Sequence, residues 1–200
     1  MKKGLVAGII AAVLIVFGGG YYVMNQRTTS ASNASDLKTD KKTTQTSKKM
    51  LILYYSNSGT TKIAAKKIQK QTGADIVEMK MNPVYPKNYN KLGAFAQHQI
   101  DIKARPKITN LPKLAKYDTI LLGFPTWFHR PPMFINTFFA TAKLKGKTVV
   151  PFTTSASSEI SESTPYLKKM AKGTGVKLQT GFRANETRTI TSYLKQHKLV

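Results

Sequence analysis

Cysteine is absent from the 200 residues, which excludes a disulfide framework, a thiolate metal site, a cysteine nucleophile and a lipid-modified cysteine anchor. Acidic residues are scarce too: 9 Asp and Glu stand against 32 Lys and Arg, leaving a net charge of +23. So few carboxylates offer no general acid–base pair. Glu159 and Glu162 are spaced instead for the first turn of a helix, where negative charge suits the dipole. Of the three histidines, His98 and His197 fall in predicted helices with no carboxylate or second histidine at ligand spacing, and read as surface residues. His129 sits beside a candidate loop, either against a bound ring or in solvent. No Ser/His/Asp arrangement and no metal cluster can be assembled, so no side chain is assigned as catalytic or metal-ligating.

A field of this sign attracts polyanions, whether nucleic acid, anionic lipid or an acidic cell-wall polymer. Nucleic acid is disfavoured. The lysines are scattered along the whole chain, with neither the aromatic and basic interleaving of RNA-binding sheets nor a basic helical heptad.

What is present begins with Lys2 and Lys3, followed by an apolar and small-residue run from Gly4 to Met24. About 20 such residues are what a helix needs to cross the hydrocarbon core, and cleaved signals usually carry a shorter apolar stretch. Residues 1–24 are therefore expected to be a retained signal anchor, giving a single-pass protein of the cell membrane. Cleavage near Ala34 is the alternative. The basic pair abutting the run favours an extracytoplasmic domain, although Arg27, Lys38, Lys41 and Lys42 pull the other way by the positive-inside count. Residues 25–48 are rich in Thr, Ser, Asn, Lys and Asp and read as a polar, disordered linker.

From residue 49 to 200 short apolar runs alternate with helical stretches, as in βα units around a parallel sheet. The pattern predicts strands at 50–55, 75–80, 119–123, 148–152 and 177–182. It predicts helices at 60–71, 89–101, 133–142, 163–172 and 186–196. The result is an α/β domain with a doubly wound, five-stranded parallel sheet.

Three polar loops follow strands one, three and four. The first is Ser56-Asn57-Ser58-Gly59-Thr60-Thr61, which offers hydroxyls, an amide, a close-approach glycine and a helix N-terminus. These are the groups a phosphate dianion needs; the Gly-Lys-Ser/Thr ending of a Walker loop is missing. The second is Gly123-Phe124-Pro125-Thr126-Trp127-Phe128-His129, where Trp127, the one tryptophan, is the leading candidate to stack on a planar ring and Phe128 the second. The third is Thr153-Thr154-Ser155-Ala156-Ser157-Ser158, suited to ring or phosphate edges and equally to capping a helix. Tyr85 and Tyr89 stand where they could cover the pocket on the strand-two side or pin a long loop.

With these motifs in view, residues 49–200 resemble the flavodoxin-like family, and its short single-domain flavodoxins in particular. Ser56-Asn57-Ser58-Gly59-Thr60-Thr61 is similar to the family's S/T-x-S/T-G-x-T phosphate loop, and Gly123-Phe124-Pro125-Thr126-Trp127-Phe128 to its G-Y/F-P-x-W-W/F isoalloxazine loop. The resemblance implies strand order 2-1-3-4-5 and noncovalent FMN. It also implies electron transfer, or reduction of a small quinone-type acceptor, through the flavin, with a redox donor and acceptor that the sequence does not name. FMN contacts are expected at Ser56, Asn57, Ser58, Gly59, Thr60, Thr61, Pro125, Thr126, Trp127, Phe128, Thr153, Thr154 and Ser155. Two departures stand out. The family's third loop commonly reads T-S-G-G-S-G, whereas Thr154-Ser155-Ala156-Ser157-Ser158 has no glycine, so it must take a different course or touch the flavin less closely. The family is also usually acidic. The alternative reading is a flavin-free module of the same fold that binds anionic cell-wall polymer or lipid through its basic surface.

Overall fold

The computed structural model describes residues 49–200; the expected anchor at 1–24 and linker at 25–48 lie outside the described residues. Among the described residues no helix is long and apolar enough to cross a membrane.

The first strand, β1 (Met50–Tyr54), is a run of large apolar residues without polar alternation, and Leu51, Ile52 and Leu53 are all fully buried. Such a strand needs cover on both faces. Leu51 and Leu53 enter one core with Ile120 and Leu122, while Ile52 and Tyr54 enter a second core with Leu121 and Val150. The helices sort accordingly. On the first face lie α2 (Tyr89–Asp101), α3 (Phe134–Thr141) and α4 (Ile160–Ala171); on the second lie α1 (Thr60–Thr72) and α5 (Thr187–Gln196). In α3, Phe134 and Phe138 are fully buried, and each contributes roughly 2–3 kcal/mol of transfer free energy.

The sheet is parallel, with β2 (Asp75–Glu78), β1, β5 (Thr119–Pro125), β6 (Thr148–Thr154) and β7 (Lys177–Leu178) side by side in that order, and β8 (Phe182–Arg183) also pairing β6. This is the expected order 2-1-3-4-5. Four details differ from the sequence reading. Strands three and four run on to Pro125 and Thr154, carrying the second and third loops further out. The segment after strand two forms a small antiparallel ladder of β3 (Met81–Asn82) with β4 (Lys107–Ile108). Helix α4 starts at Ile160, because Glu159 and Glu162 form a capping box at its N-terminus.

The fourth difference is the fifth strand, which is two pieces, and Pro151 explains the break. The carbonyls of Lys147, Val149 and Thr153 all accept from the edge strand, so by the two-residue period Pro151 faces it as well. Proline has no N–H to offer there. Ladder pairing lapses between Leu178 and Phe182, and Thr180 turns its carbonyl to the Tyr193 hydroxyl instead.

Candidate functional site

β1 delivers the chain to the carboxyl edge of the sheet, where Tyr55 still donates its N–H to Gly123 O at 3.0 Å. The turn into α1 then depends on Gly59, whose φ of 97° lies in the left-handed region where a side chain is strained. A Cβ at Gly59 would meet nothing within 4 Å, so the space over the turn is open. No side chain caps α1. The N–H groups of its first turn have no intrahelical acceptor and are left for an external one. Ser58 and Thr60 are exposed beside them, hydroxyls 3.2 Å apart.

The other residues of this loop build it. Ser56 Oγ accepts the Gly59 N–H at 3.1 Å. Asn57 Nδ2 donates to Pro86 O at 2.9 Å, and its Oδ1 accepts the Tyr55 hydroxyl at 2.9 Å. Burial first, and then the charge of Glu78, pushes the Tyr55 phenol up to about 12, so it stays a donor at neutral pH. Lys87 Nζ donates to Asn57 O at 3.1 Å and sets a positive charge at the rim. Thr61 is buried, with its hydroxyl 2.8 Å from that of Thr154.

That last contact joins the first loop to the third, and a second threonine pair joins the third to the second. Thr153 donates its one hydroxyl proton to Phe124 O at 3.0 Å, which makes Thr126 the donor in the 2.5 Å contact between their hydroxyls. Thr126 N also donates to Thr154 O at 3.0 Å. All three predicted loops thus meet over the ends of β1, β5 and β6.

Trp127 is half-buried and belongs to an aromatic wall. Its ring centroid lies 5.0 Å from that of Tyr85 and 6.3 Å from that of Tyr55, and Phe134 closes the cluster 5.0 Å from Tyr55. Tyr85 therefore lines this side, whereas Tyr89 is 85% exposed. Beyond Trp127 the backbone doubles back, with Trp127 and Arg130 exchanging N–H···O bonds of 3.1 and 3.2 Å around Phe128 and His129. Both apex residues have positive φ, 50° and 59°. Such turns favour Asn-Gly, and residues with a Cβ there cost about 1–2 kcal/mol each. The turn leaves Phe128 47% exposed and sets His129 against Glu162 and 3.3 Å from the Ser158 hydroxyl. The hydrogen bond from His129, helped by Ser158 and a backbone N–H, holds the Glu162 carboxyl below its ordinary range.

The third loop reaches its course without glycine, since no residue from Thr153 to Ser158 has a left-handed φ. Ser155 Oγ accepts the N–H groups of Ser157 and Ser158 at 3.4 and 3.0 Å. From the far side Asn185 clasps Ser155 through both backbone groups, at 3.2 and 2.8 Å, and Arg183 donates to the carbonyls of Ser155 and Ala156. Sequence reasoning missed Arg183 and Asn185, as well as Tyr55 as a strut. Arg183 and Asn185 act about 30 positions from the loop they hold, where the one available signal was a polar pair at the carboxyl end of the fifth strand, while Tyr55 acts two positions away on Asn57 and was hidden by its place in an apolar run.

A doubly wound parallel sheet with three polar loops gathered at the switch between adjacent central strands, one of them a phosphate-type helix start, defines a nucleotide-sized ligand binder of the α/β class. The chain belongs to the flavodoxin family, whose model matches residues 49–196. Solved structures agree. A candidate flavoprotein from Bacteroides eggerthii is 32% identical, covering 74% of this chain and 96% of its own, with a TM-score of 0.67. A flavoprotein from Lactobacillus acidophilus in complex with FMN is 28% identical over 69% of this chain and 94% of its own, with a TM-score of 0.59. Among curated proteins no sequence matches the chain significantly.

Proposed function

We propose that the chain is an FMN protein held at the cell membrane by residues 1–24, passing electrons between a donor and an acceptor or reducing a small quinone-type acceptor. The observation that carries the reading is the joining of all three loops through the Thr61–Thr154 and Thr126–Thr153 hydroxyl pairs. The residues fit the group. An uncapped helix start with open space above Gly59 and two exposed hydroxyls suits a phosphate, and an aromatic wall stands at the neighbouring loop. Bound FMN supplies the redox chemistry. Ser58, Thr60 and the first-turn N–H groups of α1 hold the phosphate, while Ser56, Asn57 and Thr61 keep that loop in shape. Trp127 covers the ring, with Phe128 at its rim and the backbone of Pro125, Thr126, Thr153, Thr154 and Ser155 along its edge. The net charge of +23 favours an acidic donor and an anionic membrane or wall polymer as neighbours.

Purifying the full chain in detergent, adding FMN and recording the visible spectrum tests the cofactor. A yellow protein that retains flavin through gel filtration and bleaches with dithionite is expected. A protein that stays colourless in excess FMN sinks the redox reading and leaves the flavin-free module. Protease treatment of intact cells tests the sidedness, with loss of the domain expected.

A further inference from the structure

On the sheet face that carries α2, α3 and α4, the structure holds an open cleft of about 930 Å³ that shares no lining residue with the three loops and adjoins the second at Arg130, within the size range of small-molecule sites. Its apolar lining comes from Met133, Phe139 and Met170. Its charged lining is of one sign: Lys103, Arg105, Arg130, Lys169 and Lys172 line it, with no carboxylate among the described residues that do.

Arg130 is the centre of this charge. Its guanidinium carbon lies 4.4 Å from the centroid of the Tyr166 ring. Its Nε is buried without a partner, and its Nη2 reaches only the weak acceptor Met133 Sδ at 3.5 Å. Arg183 also keeps its Nε without a partner, but its terminal nitrogens meet Glu159 and two carbonyls, whereas those of Arg130 meet no oxygen among the described residues. A guanidinium held over an aromatic ring, with donors that meet no oxygen among the described residues, is arranged for a planar or tetrahedral oxyanion. Like charges gathered around it repel one another until an anion arrives. A single carboxylate would answer Arg130 alone, whereas a phosphate reaches several cations from one position.

We propose that this cleft is a second ligand site, which takes a phosphate ester with an apolar body: the phosphate on Arg130 and the flanking lysines, the body on Met133, Phe139 and Met170. The site does not rest on flavin binding, yet it communicates with that loop. Arg130 is tied to Trp127 by the paired backbone bonds across the strained turn, so a ligand that draws on Arg130 moves the environment of the protein's one tryptophan.

The test is a calorimetric titration of the full chain in neutral-detergent micelles with hexyl phosphate, with Trp127 emission followed in parallel. Saturable binding at one site is expected, with inorganic phosphate and hexanol each at least about tenfold weaker. Arg130→Gln should weaken hexyl phosphate by about tenfold or more, and Arg130→Lys by less. Lys169→Gln, on an exposed helix position, checks the result without risk to folding and should weaken it about threefold. Phosphatidic acid doped into the micelles separates the sources: competition with hexyl phosphate that Arg130→Gln abolishes assigns a lipid head, and no competition assigns a soluble ester. Equal binding by wild type, Arg130→Gln and Lys169→Gln would overturn the proposal, as would inorganic phosphate binding as tightly as the ester.

Discussion

Single atoms decide much of this site, and Gly123 is the sharpest case. It opens the second loop motif, yet its backbone shows no left-handed φ, and the reason for glycine is space. A Cβ there would fall 2.2 Å from the Phe152 ring, which is fully buried and stacked near Phe182. Gly123→Ala should therefore destabilise the protein by about 1–3 kcal/mol, read as a lower urea midpoint. Phe152→Leu in the same chain should recover part of that loss, so the two changes together should cost less than their sum. Strict additivity would show that the clash is relieved elsewhere. Glu162 gives a second expectation. Its folded pKa lies below the ordinary 4.5, so its contribution to stability is present above pH 4.5 and is lost as pH falls through the lower folded value. The gap in urea midpoint between wild type and Glu162→Gln should accordingly narrow as pH drops below about 4.5. A gap unchanged from pH 6 to 3 would remove the carboxylate's charge from the account.

Among the elements, the break between β7 and β8 shows how a strand can be limited by its neighbour's chemistry. Because Pro151 offers the edge strand no donor, the Thr180 carbonyl turns to the Tyr193 hydroxyl and the strand leaves the ladder; among the described residues the amides of Thr180 and Gly181 then have no backbone acceptor, while Gln179 and Ala184 donate to Val149 O and Thr153 O at 2.9 and 2.7 Å. Hydrogen exchange should run at least about tenfold faster at Thr180 and Gly181 than at Gln179 and Ala184. Equal protection across the four would mean that the strand is continuous in solution. The same contrast marks what the sequence could disclose. The apolar runs at 50–55 and 119–123 needed no context to read as buried strands, and the alternation with helices carried the sheet type. The turn from β1 into α1 was legible because Ser56 to Thr61 are contiguous. The effect of Pro151 was not, since it depends on which side of β6 the missing donor faces. Nor was the β3–β4 ladder, whose two-residue strands are too short for any periodicity. The clasp of Asn185 and Arg183 on Ser155 and Ala156 likewise exists only once the fifth strand has been placed.

At the scale of the molecule the dominant fact is the charge of +23 on a chain of the flavodoxin family. Such a surplus creates a positive potential over the whole surface, and electrons entering a bound flavin add negative charge within that field. The field therefore favours the reduced state and raises the midpoint potential. Salt weakens it, because the Debye length shrinks from about 30 Å at 0.01 M to about 3 Å at 1 M. For this protein with FMN bound, the midpoint potential should fall as sodium chloride rises, by about 40 mV if the field contributes roughly 1 kcal/mol per electron. The dependence should follow ionic strength and not ion identity, so sodium sulfate at matched ionic strength should give the same curve. FMN binding should weaken in parallel, since the same field attracts its phosphate. A potential that stays flat or rises with salt would show that local dipoles, such as the open N–H groups of α1, and not the lysine-rich surface, set the electrostatics at the flavin.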